Sequence, residues 1–145
     1  MTIPHNALVL VADGRKALFL RNEGDEKYPN LRVEKHTQQD NPAARDQTSD
    51  GPGHSFASVG GARSALEQTD FHQLAEDRFA AETAELLHRQ IQARGYEKLI
   101  VAAPPHALGE LRKHYHKDVA ARLILEVDKD LTDHTLPSIE KILNG

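Results

Sequence analysis

Five consecutive apolar residues, Leu99-Ile100-Val101-Ala102-Ala103, run directly into Pro104-Pro105 and then His106-Ala107-Leu108-Gly109-Glu110-Leu111-Arg112. This stretch constrains the fold more than any other. An apolar run of that length, closed by prolines, is too short for an independent helix and suits a strand buried on both faces. The prolines cannot extend a strand ladder, but proline fits the first turn of a helix, where its missing N–H had no partner to lose. A helix therefore starts near His106, and Ala107, Leu108, Leu111 and Tyr115 recur at the spacing that lays one apolar face on a sheet. The strand at 98–103 is expected to be central, with Leu99, Ile100 and Val101 buried. Because ligands of open α/β sheets bind beyond the carboxyl ends of strands, a site here falls near Pro105, His106 and Glu110.

Around this unit the chain supplies four more strands. Residues 6–12 are rich in valine and leucine, and Asp13-Gly14 is a two-residue hairpin signal before a second apolar run at 16–21. Leu31, Val33 and Lys35 alternate with Arg32, Glu34 and His36, the pattern of a half-exposed strand at 31–37 near a sheet edge. The last strand is expected at 122–127. The connections among the first three are too short for crossover helices, so they form an antiparallel meander. The fold class is α/β: one mixed five-stranded sheet packed by helices. Asp13, at the end of its strand, is a candidate site residue, although an aspartate before glycine is also an ordinary turn residue.

The clearest helix spans 70–94. Asp70 and Gln73 have the spacing of a capping box, and Gly95 supplies the stop. Its apolar stripe is Phe71, Leu74, Ala75, Phe79, Leu86, Leu87 and Ile91, with Glu76, Asp77, Glu85 and Arg89 opposite. A shorter helix at 136–143, with Pro137 in its first turn, ends the chain. Between strand three and the long helix, residues 38–69 hold many Gly, Pro, Ser, Asp and Asn and few large apolar side chains. They read as a long mobile loop within a single domain covering 1–145, and connections of such length are uncommon unless functional or disordered. Gly60-Gly61 can bring the backbone close to a ligand, and Arg63 beside them offers a planar fork suited to phosphate.

Several chemistries are excluded. With no cysteine there is no disulfide, and 18 Lys plus Arg against 22 Asp plus Glu give a net charge of −4, unlike a uniformly basic nucleic-acid binder. There is no Gly-x-Ser-x-Gly elbow, and the glycines lack the lysine and hydroxyl of a phosphate loop. Nine histidines invite a metal. Their spacing argues against one: His114 and His116 on a helix diverge by about 200°, and His72 and His88 lie several turns apart. We expect no metal and no cofactor. The start of the chain carries no basic leader or long apolar span, which points to the cytoplasm and to no membrane partner.

Taken together, Val9-Leu10-Val11-Ala12-Asp13-Gly14 with Ala17, Phe79-Ala80, Glu85-Leu86, Ala103-Pro104-Pro105 with Leu108-Gly109-Glu110-Leu111-Arg112, and Lys129-Asp130-Leu131-Thr132 resemble the host-attachment protein family of bacteria. That family in turn resembles the middle domain of archaeal and eukaryotic class-one peptide-chain release factors, an α/β fold related to ribonuclease H. In those factors a Gly-Gly-Gln tip on a loop before a long helix enters the peptidyl-transfer centre. Gly60-Gly61 stands at the corresponding place, and Ser64-Ala65-Leu66 echoes the residues after that tip. The third tip position is Ala62, so the group that would set water against the ester is missing. The resemblance therefore implies a non-catalytic or weakly catalytic factor that binds RNA or a ribosome through Gly60, Gly61, Arg45, Arg63 and Arg78. A protein-interaction module linked indirectly to attachment is the second class of function, and an enzyme acting on an unknown small molecule the third. The oligomeric state is not legible.

Overall fold

The computed structural model describes residues 2–39 and 61–145, with side chains at 2–39 and 71–145. The elements are β1 (Leu8–Ala12), β2 (Lys16–Asn22), β3 (Leu31–Gln38), α1 (Gly61–Arg94), β4 (Leu99–Ala102), α2 (Pro105–His114), α3 (Lys117–Arg122), β5 (Leu123–Val127) and α4 (Leu136–Asn144). The strands form one mixed sheet in the order β3-β2-β1-β4-β5. β1, β2 and β3 are the expected antiparallel meander, while β1 pairs β4 and β4 pairs β5 in parallel.

Side chains alternate across a strand, and here both faces are covered. Leu8, Leu10 and Ala12 of β1 and Leu99 and Val101 of β4 pack with Phe19 against Phe79, Ala80, Ala84, Leu87 and Ile91 of α1 and Leu108 and Leu111 of α2. Val9, Val11, Ile100 and Ala102 face the other way, onto Leu131 and onto Ile139 and Leu143 of α4. Leu99, Ile100 and Val101 are fully buried. The middle strand, however, is β1. It bonds to its hairpin partner on one side and to β4 on the other, and only β5 lies beyond β4. The two apolar runs are equally suited to burial, so composition could not rank them.

Three further expectations are corrected. α1 begins at Gly61, so residues 61–69, read as loop, are helix. Ala62-Arg63-Ser64-Ala65-Leu66-Glu67-Gln68 are mostly good helix formers, and propensity prevails there without an apolar stripe. Phe71 and Leu74, assigned to the buried face, are 58% and 59% exposed. A helix of 34 residues is about 51 Å long, whereas the five residues of β1 extend about 17 Å. α1 is thus far longer than the strand it covers, and Phe71 and Leu74 lie toward its N-terminal end, away from the buried stretch Phe79–Ile91. Finally, α3 was not foreseen: six residues are too few to show a period, and they move the start of the last strand to Leu123.

The other end of α1 is set by Gly95, whose φ of +67° is in the left-handed region and whose N–H donates to the Ile91 carbonyl at 2.8 Å. A Cβ there would meet nothing within 4 Å, so strain comes from the backbone alone. Gly95→Ala should therefore cost about 1 kcal/mol, measured by urea unfolding, with the slope unchanged. No change in the midpoint would show that this helix end relaxes to another conformation.

Candidate functional site

At the carboxyl ends of β1 and β4, Gly14, Glu76, Pro104, His106, Ala107 and Glu110 line a cleft of about 250 Å³. Pro104, extended at φ −62° and ψ 157°, is the N-cap of α2, and Pro105 opens its first turn. That junction holds His106 and Glu110 one helical turn apart on one side of the cleft. α1 supplies the opposite wall. His106 Nε2 lies 3.1 Å from Asp77 Oδ1, and Gln73 Nε2 donates to the same oxygen at 2.9 Å while also touching the His106 ring. Burial works to raise the Asp77 carboxyl, but hydrogen bonds from His106 and Gln73 outweigh it and hold the group below its ordinary range. Glu110 accepts from Lys113 Nζ at 2.8 Å. Gly14 keeps the cleft open: a Cβ there would stand 2.6 Å from the Glu76 carboxyl carbon and displace that side chain.

Asp13, expected at this site, is spent on the turn. Its Oδ1 accepts from the backbone N–H groups of Arg15 and Lys16 at 2.7 and 2.8 Å, and its Oδ2 from the Thr132 hydroxyl at 3.1 Å. The fold thus brings His106 and Glu110 together with Glu76 and Asp77, whose periodicity had placed them on the outward side of the helix. The second predicted group falls on or before α1, the helix that also carries Glu76 and Asp77. Gly61 is the first residue of α1, Arg63 lies in its first turn, and Arg78 is exposed further along the same helix. Arg45 and Gly60 lie outside the described residues.

A second cluster was missed. Glu85, His88 and Gln92 succeed one another at three- and four-residue steps on α1 and face His116 and Asp118. His88 Nδ1 is 2.9 Å from Asp118 Oδ2, Gln92 Nε2 donates to that oxygen at 2.7 Å, and His116 Nε2 is 2.7 Å from Glu85 Oε2. The two imidazoles stack with centroids 3.9 Å apart and 8° between planes. Helical divergence does not govern His116, because α2 ends at His114 and leaves His116 outside it as the N-cap of α3. Among the described residues two groups place metal-capable donor atoms within 4.8 Å of one another: His88, His116 and Asp118, and Asp77, His106 and Glu110.

Chemically, the cleft offers an imidazole paired with a carboxylate, able to hold or move a proton, and no hydroxyl or thiol among its lining residues. No helix among the described residues is long and apolar enough to cross a membrane. No curated protein matches the chain. The family model of bacterial archaeo-eukaryotic release factor family 12 matches residues 6–143. It covers every element from β1 through the buried part of α4, and its description concerns release factors rather than host attachment. With the match running through the α/β core, the long helix and the segment before it, the chain belongs to the bacterial archaeo-eukaryotic release factor family 12.

Proposed function

We propose that this protein is an RNA- or ribosome-binding factor without appreciable peptidyl-tRNA hydrolase activity. Its contact surface is the segment carrying Gly60-Gly61 and the start of α1, with Arg45, Arg63 and Arg78 as phosphate contacts. The observation that carries this reading is the family match together with Gly60-Gly61-Ala62 at the start of a long helix. Two glycines allow close backbone approach to a nucleic acid. Alanine at the third position offers neither a donor nor an acceptor in its side chain to orient water, so binding is retained and hydrolysis is not.

Co-sedimentation of the purified protein with ribosomes tests it. The protein should pellet with ribosomes at low salt and leave them at high salt, because phosphate contacts exchange with counterions. In parallel, incubation with peptidyl-tRNA should release no peptide above the uncatalysed rate. Robust turnover by the unmodified chain, abolished by a change at Ala62, would show that the tip retains chemistry.

The exposure of Phe71 and Leu74 favours a second reading, a protein-interaction module that uses the outward face of α1. It calls for a protein partner and no affinity for RNA. Failure to pellet with ribosomes at any salt would select it.

A further inference from the structure

We propose that His88, His116, Asp118 and Glu85 form a binding site for a transition-metal dication of the zinc class, joining α1 to the start of α3. Imidazole and carboxylate together suit zinc, cobalt or nickel rather than magnesium or calcium, which prefer oxygen alone. The cluster supplies four side chains, the number a tetrahedral site needs. Donor atoms of His88, His116 and Asp118 already lie within 4.8 Å of one another. Ligands about 2.0 to 2.2 Å from zinc at tetrahedral angles are about 3.4 Å apart, so these three donors need approach one another by no more than about 1.4 Å.

One internal movement is required. A metal bound in the plane of both imidazoles cannot sit on rings stacked 3.9 Å apart, so one ring must turn out of the stack. His116, with its side chain 40% exposed against 29% for His88, has the room. Gln92 holds Asp118 in place through its 2.7 Å bond, the kind of outer contact that orients a metal-binding carboxylate.

Charge also favours a cation. Glu85 and Asp118 each place a carboxylate oxygen against an imidazole, Glu85 Oε2 at 2.7 Å from His116 Nε2 and Asp118 Oδ2 at 2.9 Å from His88 Nδ1. The cluster thus brings two carboxylate side chains to the imidazoles, and their charge is of the sign a dication neutralises. Arg89, 3.9 Å from Glu85, and Arg122, 2.8 Å from the Asp118 carbonyl oxygen, are cations at its border. The cleft group is the weaker candidate: it has one imidazole, and Glu110 is already engaged by Lys113.

The test uses the full chain stripped of metal, with cobalt as a visible probe and zinc in calorimetry. The wild type should bind one equivalent of cobalt, with the intense visible bands of a four-coordinate site, and zinc should raise its melting temperature. His88→Gln and His116→Gln should each weaken zinc binding about tenfold or more, while His106→Gln leaves it unchanged. Far-UV circular dichroism checks that each metal-free variant is folded. Absence of the four-coordinate spectrum in the wild type overturns the proposal whatever the variants do. Loss of binding with His106→Gln alone overturns it too, by moving the metal to the cleft.

Discussion

Asn22→Ala should destabilise the protein by about 3 kcal/mol, among the largest losses expected from any single polar side chain here. Asn22 is fully buried at the end of β2. Its amide nitrogen donates to the carbonyls of Ile3, Pro4 and Asp25 at 2.9, 3.2 and 3.4 Å, and its oxygen accepts from the N–H groups of Gly24 and Asn30 at 3.0 and 2.8 Å. One side chain thus ties the segment before β1 to the β2–β3 connection. Alanine removes partners from backbone groups that have exchanged water for this amide, and each orphaned group costs about 1–3 kcal/mol, less where water can enter. Urea unfolding should show a lower midpoint with an unchanged slope. Asn22→Asp should be worse, because it keeps the acceptors, loses both donors and sets a carboxylate against three carbonyl oxygens. A loss under about 1 kcal/mol for the alanine variant would show that water replaces the amide without difficulty.

Asn22 also marks where sequence reasoning reached its limit. It reads as the first polar residue of a loop, and only the fold shows five backbone partners converging on it. The legible parts rest on local physics. The hairpin at Asp13-Gly14, the two apolar strands, the half-exposed edge strand and the glycine end of α1 each depend on neighbours a few residues away. The start of α1 was not legible by pattern, since its first turns carry no apolar stripe to reveal the helical period. Nor was the exposure of Phe71 and Leu74, which depends on tertiary packing that an apolar stripe along one helix does not record. The site was half visible. His106 and Glu110 emerge from the strand-to-helix junction, but Asp77 and Glu76 join them only because α1 crosses the carboxyl ends of β1 and β4. The His88, His116 and Asp118 cluster is a purely tertiary event, made by residues 28 and 30 positions apart (116 − 88 and 118 − 88) and by the end of α2 at His114.

The second large effect concerns the surface that should meet nucleic acid. The chain carries net charge −4, so any phosphate binding depends on local arginines acting against a repulsive background. Reversing one of them removes a phosphate contact and adds a repulsive charge at the same point. Arg63→Glu, and to a similar degree Arg78→Glu, should weaken ribosome or RNA association strongly at low salt. Both positions lie on α1, and Arg78 is solvent-exposed, so Arg78→Glu should not lower stability by more than about 0.5 kcal/mol.

The most direct test is therefore the salt dependence of ribosome binding by the wild type and Arg63→Glu, taken as the slope of log affinity against log salt. A binding factor that uses this segment predicts a steep wild-type slope, reduced in the variant by the equivalent of roughly one phosphate contact, about 0.7 to 0.9 in the exponent. Wild-type binding with a slope indifferent to Arg63→Glu would contradict the assignment of the surface, and no ribosome or RNA binding at any salt would contradict the function itself.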